Sequence, residues 1–180
     1  MKIPLTYGAF IALGGALLTL VLYFLGFHDS AEKLQTAQWV GGGIGFILTI
    51  TLLLLAMREK RARFSVNEDW GYGNALGVGI LTGLVGSVLG AIFYYVYASQ
   101  INPDLSEHIL QAQRQAMEAK GMSAAKFEQA EPMMRKFMTP GFTAAMQCLM
   151  AIVLSVLLSL ILAIFVRQRP TPPVGVPPAL

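Results

Sequence analysis

Four long apolar runs constrain the fold of this chain more than any other feature of its sequence. They cover residues 5–27, 39–57, 75–98 and 141–166, and none of them contains Asp, Glu, Lys, Arg or His. Each run provides about the 20 residues that an α-helix needs to cross roughly 30 Å of hydrocarbon. Four such segments in 180 residues leave too little polar sequence to cover them in water. The runs therefore predict a protein that is embedded in a membrane.

Composition and pattern favour helices over strands within these runs. Hydrophobic residues make up 55% of the chain and charged residues 13%, about half the charged share of a soluble domain. Helices satisfy their own backbone hydrogen bonds in lipid, and the alternation of a membrane β-barrel is absent. We therefore predict an all-α fold, an integral membrane four-helix bundle forming a single domain over residues 1–169. The first run exceeds a signal-peptide core and no A-x-A site follows it, so we expect it to remain as the first helix.

Basic residues are concentrated on one side of the predicted bundle. The first connection contains Lys33 as its only basic residue, and the five basic residues of the third connection, 99–140, are matched by five acidic ones. The remaining basic residues flank the termini or follow the second run: Lys2, Arg58, Lys60, Arg61, Arg63, Arg167 and Arg169. The positive-inside rule then predicts a bacterial inner membrane protein with both termini in the cytoplasm and residues 99–140 outside.

Aromatic residues stand at the ends of the predicted spans, above all in the stretch YYVY at residues 94–97. Rings that carry a polar edge favour the headgroup level of a bilayer. We expect an interfacial belt of this kind from Trp39, Trp70, Tyr94, Tyr95 and Tyr97. A cluster of tyrosines can also bind a ligand such as a quinone, and this second interpretation stays open.

A junction formed by Asn102, Pro103 and Asp104 follows the third run. The residue before a proline is pushed out of the α region, and proline suits a first helical turn. Asp104 and Glu107 have the spacing of a capping box. The junction therefore predicts the end of one helix and the start of another.

A helical hairpin is predicted over residues 103–139, outside the membrane. Gly121 is expected to end its first helix, and Pro132 to break or kink its second. His108 has no second histidine one turn away, so its helix predicts no metal site. The apolar side chains of the second helix favour packing on the bundle or a position among headgroups, with a flexible surface for a protein partner as the alternative. These side chains are Phe127, Met133, Met134, Phe137 and Met138.

Small residues recur at helical spacing in every predicted span. Such stripes let helix backbones approach closely where lipid provides no hydrophobic drive between helices, so we expect a tightly packed bundle, with dimerisation through one stripe as the alternative. Val85, on another face of the third helix, is expected to point at lipid. The stripe residues are Gly8, Ala12, Gly15 and Thr19; Gly41 and Gly45; Gly79, Gly83, Gly86 and Gly90; and Cys148, Ala151, Ser155 and Ser159.

The last eleven residues, 170–180, contain five prolines. Proline prevents a regular helix, and the segment has little apolar surface to bury. It is therefore predicted to be a disordered cytoplasmic tail outside the membrane domain.

The functional signals are sparse. The single cysteine, Cys148, excludes a disulfide framework and a multi-cysteine metal site. The charges form no basic face for nucleic acid, and GVGILTG lacks the lysine of a phosphate-binding loop. We therefore predict no catalytic residue, no metal site and no cofactor, with lipid as the partner and no predicted oligomeric state.

Two functional classes remain. The first is a non-enzymatic structural or accessory protein whose outer hairpin engages a protein partner. The alternative is a small channel or a carrier of a small solute or lipid that uses the hydroxyl groups of the spans and Gln147. A proton- or ion-coupled transporter would usually keep an ionisable group inside the membrane, and the spans contain none.

The order of these parts resembles a bacterial membrane family described as domain of unknown function 4199. The resemblance rests on WGYGNALGVGILTGLVGSVLGAIFYYVYASQINPDL, in which INPD is the most specific piece, and on KFMTPGF before the last span. It covers roughly residues 3–168 and leaves the proline-rich tail outside. What the resemblance implies is four membrane spans without an assigned activity, and it provides no catalytic residue to carry over.

Overall fold

The sequence forms six α-helices and no β-strand within the part of the chain that the structure describes. This computed structural model describes residues 2–64, 70–121 and 123–167, so the predicted disordered tail lies outside the described residues. A π-helical turn, Tyr97–Ile101, extends the third helix. The α-helices are α1 (Lys2–Phe24), α2 (Ala31–Arg61), α3 (Tyr72–Val96), α4 (Leu105–Ala119), α5 (Ala124–Phe137) and α6 (Pro140–Val166).

Four of these helices are long and apolar enough to cross a membrane, as the apolar runs predict. They are α1, α2, α6 and the combination of α3 with its π-helical turn. The chain is a multi-pass, all-α membrane protein. The second span is longer than its apolar run, because α2 already begins at Ala31 and takes in most of the polar segment before residue 39.

One end of the bundle, which we name the basic end, joins the start of α1 and α3 to the end of α2 and α6. Its buried core contains Ile3 from α1, Met57 from α2 and Val166 from α6. Trp70, 2% exposed, packs edge to face on Phe64 with their ring centroids 4.7 Å apart. The basic end is therefore closed by apolar packing. It also bears the basic side chains of the last turn of α2, Arg58, Lys60 and Arg61, and Arg63 just after it.

The opposite end, which we name the α4–α5 end, is closed by the turn after α3. The π-helical turn buries Tyr97 and Ala98, which pack with Leu34 at the start of α2 and Leu105 at the start of α4. The predicted junction lies here. Asn102 is buried, whereas Pro103 and Asp104 are exposed.

The junction and the two short helices differ from the sequence prediction in two respects. Asp104 has helical backbone angles and makes no capping hydrogen bond, so the predicted capping box is wrong. Glu107 instead forms a bidentate ion pair with Arg135 of α5. Pro132 does not break α5, which continues from Ala124 to Phe137. Gly121 follows the end of α4 with a φ of +82°, as a helix stop requires.

Helix α3 lies at the centre of the bundle and packs most extensively on α6 and α1. Two of its glycines face α6. A Cβ added at Gly79 would lie 2.8 Å from Cβ of Ser159, and one added at Gly83 would lie 2.7 Å from Oγ of Ser155. Both separations are shorter than van der Waals contact, so only glycine at these two positions lets the backbones of α3 and α6 lie this close together.

The contact of α3 with α1 uses a different part of α3. A Cβ added at Gly8 of α1 would lie 2.6 Å from Cβ of Val85 and 2.8 Å from the carbonyl oxygen of Thr82. Gly86 faces α1 as well, because its added Cβ would lie 3.2 Å from Ile11. The prediction that Val85 points at lipid is therefore wrong. The side chain lies in the α1–α3 contact, since α3 has a neighbour on more than one side.

Candidate functional site

The helices separate on the α4–α5 side of these contacts and leave two cavities between them. The first, about 250 Å³, lies between α1, α3 and α6 and reaches Thr49 of α2. The second, about 350 Å³, lies between α1 and α2 and reaches the π-helical turn. Four residues line both cavities, which therefore adjoin: Gly15, Thr19, Tyr94 and Gln147. We name the two cavities together the interhelical groove.

Several residues of the predicted packing stripes line this groove instead of packing. A Cβ added at Gly15, Gly45 or Gly90 would meet no atom within 4 Å, so the prediction of close packing is wrong at these three positions. The missing side chains leave space because the neighbouring helix lies farther away there. Gly41 is in close contact with α1, because its added Cβ would lie 3.3 Å from Cδ1 of Leu22, nearer than an ordinary van der Waals contact. Ala12, Cys148 and Ala151 line the groove as well.

The groove contains polar groups and no Asp, Glu, Lys or Arg side chain among its lining residues. Thr19 and Thr49 each donate a hydrogen bond to the backbone carbonyl four residues earlier, at 3.0 and 2.8 Å. Their oxygen atoms remain as acceptors. Gln147 is exposed, and its amide has no hydrogen-bond partner among the described residues. The groove is therefore apolar with a few uncharged hydrogen-bonding positions.

A buried polar cluster of His28, Tyr97 and Asn102 adjoins the end of the groove. The Tyr97 hydroxyl accepts a hydrogen bond from Nδ2 of Asn102 at 3.1 Å and shares a second with Nδ1 of His28. His28 is 8% exposed and Tyr97 1%. The ring of Tyr23 packs edge to face on Tyr97, with centroids 5.8 Å apart. This cluster ties the α1–α2 connection to the π-helical turn.

The imidazole of His28 is neutral at pH 7. Burial lowers its pKa below the ordinary value of 6.5, because desolvation disfavours the charged ring. The charge of Asp29 raises this pKa and His108 lowers it further, both by less than burial does. Neutral histidine carries one N–H donor and one nitrogen acceptor. His28 therefore contributes a hydrogen-bonding group to the groove and no charge.

His108, the second histidine of the chain, lies on α4. Its ring is half-buried, and Nδ1 has no hydrogen-bond partner among the described residues. In residues 2–64, 70–121 and 123–167, no three His, Cys, Asp or Glu side chains come close enough to hold a metal ion.

A third cavity connects the groove with the surface of the α4–α5 end. It has a volume of about 540 Å³, lies between α2 and α4, and shares Gln38 and Ile109 with the second cavity of the groove. Its rim is polar and carries Glu32 and Lys120. The groove is therefore continuous with a hydrophilic approach between the two helices.

The predicted aromatic belt divides into exposed and buried members. Trp39 is 78% exposed and Tyr95 51%, which suits rings that face lipid or headgroups. Tyr94 is half-buried and lines the groove. Trp70 and Tyr97 lie in the two core clusters, so the prediction that they form part of the belt is wrong. Their rings fill the gaps where four helix ends converge.

His28 is a site residue that the sequence pattern did not predict. A signal was present, because His28 lies in the short connection after the first span and YYVY ends the third span on the same side. Connections of adjacent spans at one end of a bundle lie at the same depth as the aromatic ends of their neighbours. That His28 is buried, however, depends on the path of a connection only six residues long.

Comparison with known proteins identifies the family of this chain. A search of curated proteins found no match, and a search of solved structures found none. The family described as a protein of unknown function, DUF4199, matches residues 6–168 of the chain. That match includes the first span from its fifth residue onward, the other three spans, the groove and the helices α4 and α5. The chain therefore belongs to the DUF4199 family.

Proposed function

We propose that this protein is a non-enzymatic membrane protein that binds an amphiphilic molecule of the bilayer in its interhelical groove. The observation that carries the proposal is a groove within the membrane spans that has no charged lining residue and ends at a buried polar cluster. An apolar chain fits the first part and a polar head the second.

The size and chemistry of the groove support an amphiphile over an ion. Ligand sites typically occupy about 300–1,000 Å³ and combine apolar walls with a few placed polar groups. Ion-coupled transport usually relies on an ionisable side chain inside the membrane, whereas the lining here offers hydroxyl groups, Gln147 and a neutral histidine. An uncharged or weakly polar ligand costs least to bring into such a site.

The absence of an enzymatic role is part of the same proposal. Cys148 is the one strong nucleophile that lines the groove. Within the described residues, no histidine or carboxylate makes a hydrogen bond to its thiol, and such a base is what normally activates a nucleophile. Binding without chemical conversion is therefore the function that these side chains support best.

We further propose that the protein lies in a bacterial inner membrane with its basic end in the cytoplasm. The excess of Lys and Arg after α2 and at the termini supports this orientation. The groove would then open in the outer half of the bilayer. The polar approach between α2 and α4 would face the outside.

Two leucine variants of α2 test the proposed binding. Gly45 lines the groove and Gly43 does not, while an added Cβ at either position meets no atom within 4 Å. Gly45→Leu should therefore fill the groove, and Gly43→Leu should point away from it. We expect the purified Gly45→Leu chain in detergent to bind radiolabelled monooleoylglycerol at least about tenfold more weakly than wild type.

The Gly43→Leu variant is the matched control and should bind this lipid as wild type does. Equal binding by both variants would contradict a site in the groove. No binding by the wild-type chain would contradict the proposed function itself.

A second candidate, an accessory protein that engages a partner through α4 and α5, has one observation in its favour. Met133 and Phe137 of α5 are exposed, on a helix that also carries Arg135 and Lys136 in its last turn. This composition suits a protein partner or an anionic headgroup layer. Cross-linking in cells from Met133 replaced by a photoreactive residue would give one discrete protein adduct if a partner exists, and lipid adducts alone if it does not.

A further inference from the structure

We infer that His28 binds the polar head of the ligand, and that Nε2–H of its imidazole donates a hydrogen bond to an uncharged carbonyl oxygen. This inference rests on the proposed function and specifies the ligand class. The candidate ligands are apolar chains that carry a ketone, ester or quinone carbonyl.

The hydrogen bonds of Tyr97 determine which ring nitrogen of His28 carries the proton. A tyrosine hydroxyl has a single proton to donate. Tyr97 accepts from the amide of Asn102, and Nδ1 of His28 is the other group bonded to its oxygen. Nδ1 is the one acceptor that these two hydrogen bonds offer to the hydroxyl proton, so we assign Nδ1 as the acceptor. In the neutral ring, the remaining proton then lies on Nε2.

The Nε2–H group is a donor without an acceptor. Among the described residues, no oxygen or nitrogen atom makes a hydrogen bond to it, although the ring as a whole is more than nine-tenths buried. Nε2 is not among the fully buried side-chain atoms that lack a partner, so a molecule in the adjoining cavity can reach it. His28 lines the second cavity together with Leu22 and Leu34. A ligand in this cavity can provide the missing acceptor.

The surroundings of His28 select an uncharged acceptor. The groups that face the ring are the phenols of Tyr23 and Tyr97 from α1 and the π-helical turn, His108 from α4, and Asp29 of its own connection. Asp29 is exposed, lies next to Lys33 beside Gly26, and would repel an anionic head. No cation lines the cavity to offset the desolvation of a carboxylate or phosphate. A carbonyl oxygen carries no full charge, so Asp29 does not repel it as it would an anion, and its desolvation costs less.

A pair of matched probes tests this inference on the full chain in detergent. 2-Tridecanone and tridecane have the same chain length and differ by one carbonyl oxygen. A hydrogen bond of ordinary net strength would make the wild-type chain prefer the ketone by about fivefold. A preference of this size, measured by competition against radiolabelled monooleoylglycerol, supports the inference.

Two substitutions separate the two nitrogens of the ring. The side-chain amide of His28→Gln reaches about as far as Nε2 and retains a donor towards the cavity. The amide of His28→Asn reaches only about as far as Nδ1, so it can still accept from Tyr97 but offers the cavity no donor. We expect His28→Gln to retain most of the ketone preference and His28→Asn to lose it, the preference being the ratio of ketone to tridecane affinity within each variant.

An NMR measurement on a chain that keeps His28 makes the test independent of folding in these variants. The chain has two histidines, so in a His108→Gln chain labelled with ¹⁵N-histidine all imidazole signals come from His28. 2-Tridecanone should shift the proton resonance of Nε2–H downfield, and tridecane should not.

The possible results separate the role of His28 from the binding of amphiphiles in the groove. If the wild-type chain binds both probes equally, or if His28→Asn retains the preference, His28 does not bind the head, while the groove still binds amphiphiles. Loss of the preference in both variants with no NMR shift assigns His28 to holding the connection alone, and so overturns the inference. If neither probe binds, the proposed function fails as well.

Discussion

Glycine has two opposite roles in the helices of this protein. At Gly79 and Gly83 the missing side chain lets α3 approach α6, whose Ser159 and Ser155 occupy the space. At Gly45 the missing side chain leaves part of the groove empty. Both roles follow from the absence of a Cβ, and the distance to the next helix decides which one applies.

Alanine substitutions separate these roles by their effect on stability. An added methyl group at Gly79 or Gly83 would collide with a serine side chain of α6. Overpacking of this kind typically costs about 1–3 kcal/mol of the free energy of unfolding. We therefore expect Gly79→Ala and Gly83→Ala to lower the melting temperature of the purified protein in detergent.

Gly77→Ala on the same helix is the control. Its added Cβ meets no atom within 4 Å, and alanine favours a helix over glycine by about 1 kcal/mol. This variant should be as stable as wild type or slightly more so. A lower melting temperature for Gly77→Ala than for Gly83→Ala would show that the close α3–α6 contact is assigned to the wrong face.

Residue spacing predicted part of this pattern and could not predict the rest. The interval of four residues between Gly79 and Gly83 is sufficient to place both on one face of α3. The same spacing holds for Gly86 and Gly90, yet Gly86 contacts α1 and Gly90 opens into the groove. That difference depends on how α1 and α6 diverge along α3. Helix spacing within one segment contains no information about this divergence.

At the level of the element, the tyrosines at the end of α3 lie in different surroundings, some inside the bundle and one on its surface. Tyr94 and Tyr97 are three residues apart and so share a face, while Tyr95 lies on another. The structure buries Tyr97, lines the groove with Tyr94 and exposes Tyr95. The sequence analysis treated all three as one belt, although their spacing already separates Tyr95 from the other two.

Helices α4 and α5 were predicted as elements, but the contact between them was not. Glu107 and Arg135 are 28 residues apart in sequence, beyond the reach of any helical spacing rule. Arg135 also pairs with Glu131 one turn earlier, and these two carboxylates raise the pKa of its guanidinium. Arg135 lowers the pKa of Glu107 in return. Since both side chains are about half exposed, water screens this pair, and it contributes more to positioning α5 than to stability.

The whole molecule combines a closed basic end with a groove between the helices. Apolar clusters pack at both ends, but the groove, on the α4–α5 side of the glycine contacts, adjoins a cavity between α2 and α4 that reaches the surface. The number of spans was predictable, because the length and the hydropathy of a segment decide it. The groove was not, since it results from gaps among four helices.

The proposed orientation predicts which end of the molecule is accessible in cells. Single cysteines at Lys120 and Arg63, each in a Cys148→Ser background, lie at opposite ends of the bundle. In intact bacterial cells a membrane-impermeant maleimide should label Lys120→Cys and leave Arg63→Cys unlabelled. Both should react once the cells are lysed. Labelling of Arg63→Cys alone in intact cells would reverse the orientation.

The position of a bound amphiphile shows whether the ligand lies between the helices. A 2-tridecanone that carries a diazirine in its tail can be cross-linked to the purified chain, and mass spectrometry can then locate the adducts. We expect adducts at groove residues such as Thr19, Gly45 and Gln147, and their loss in the presence of excess unlabelled 2-tridecanone. Adducts spread over exposed positions such as Leu13 and Leu17, and unaffected by that competitor, would contradict a binding site between the helices.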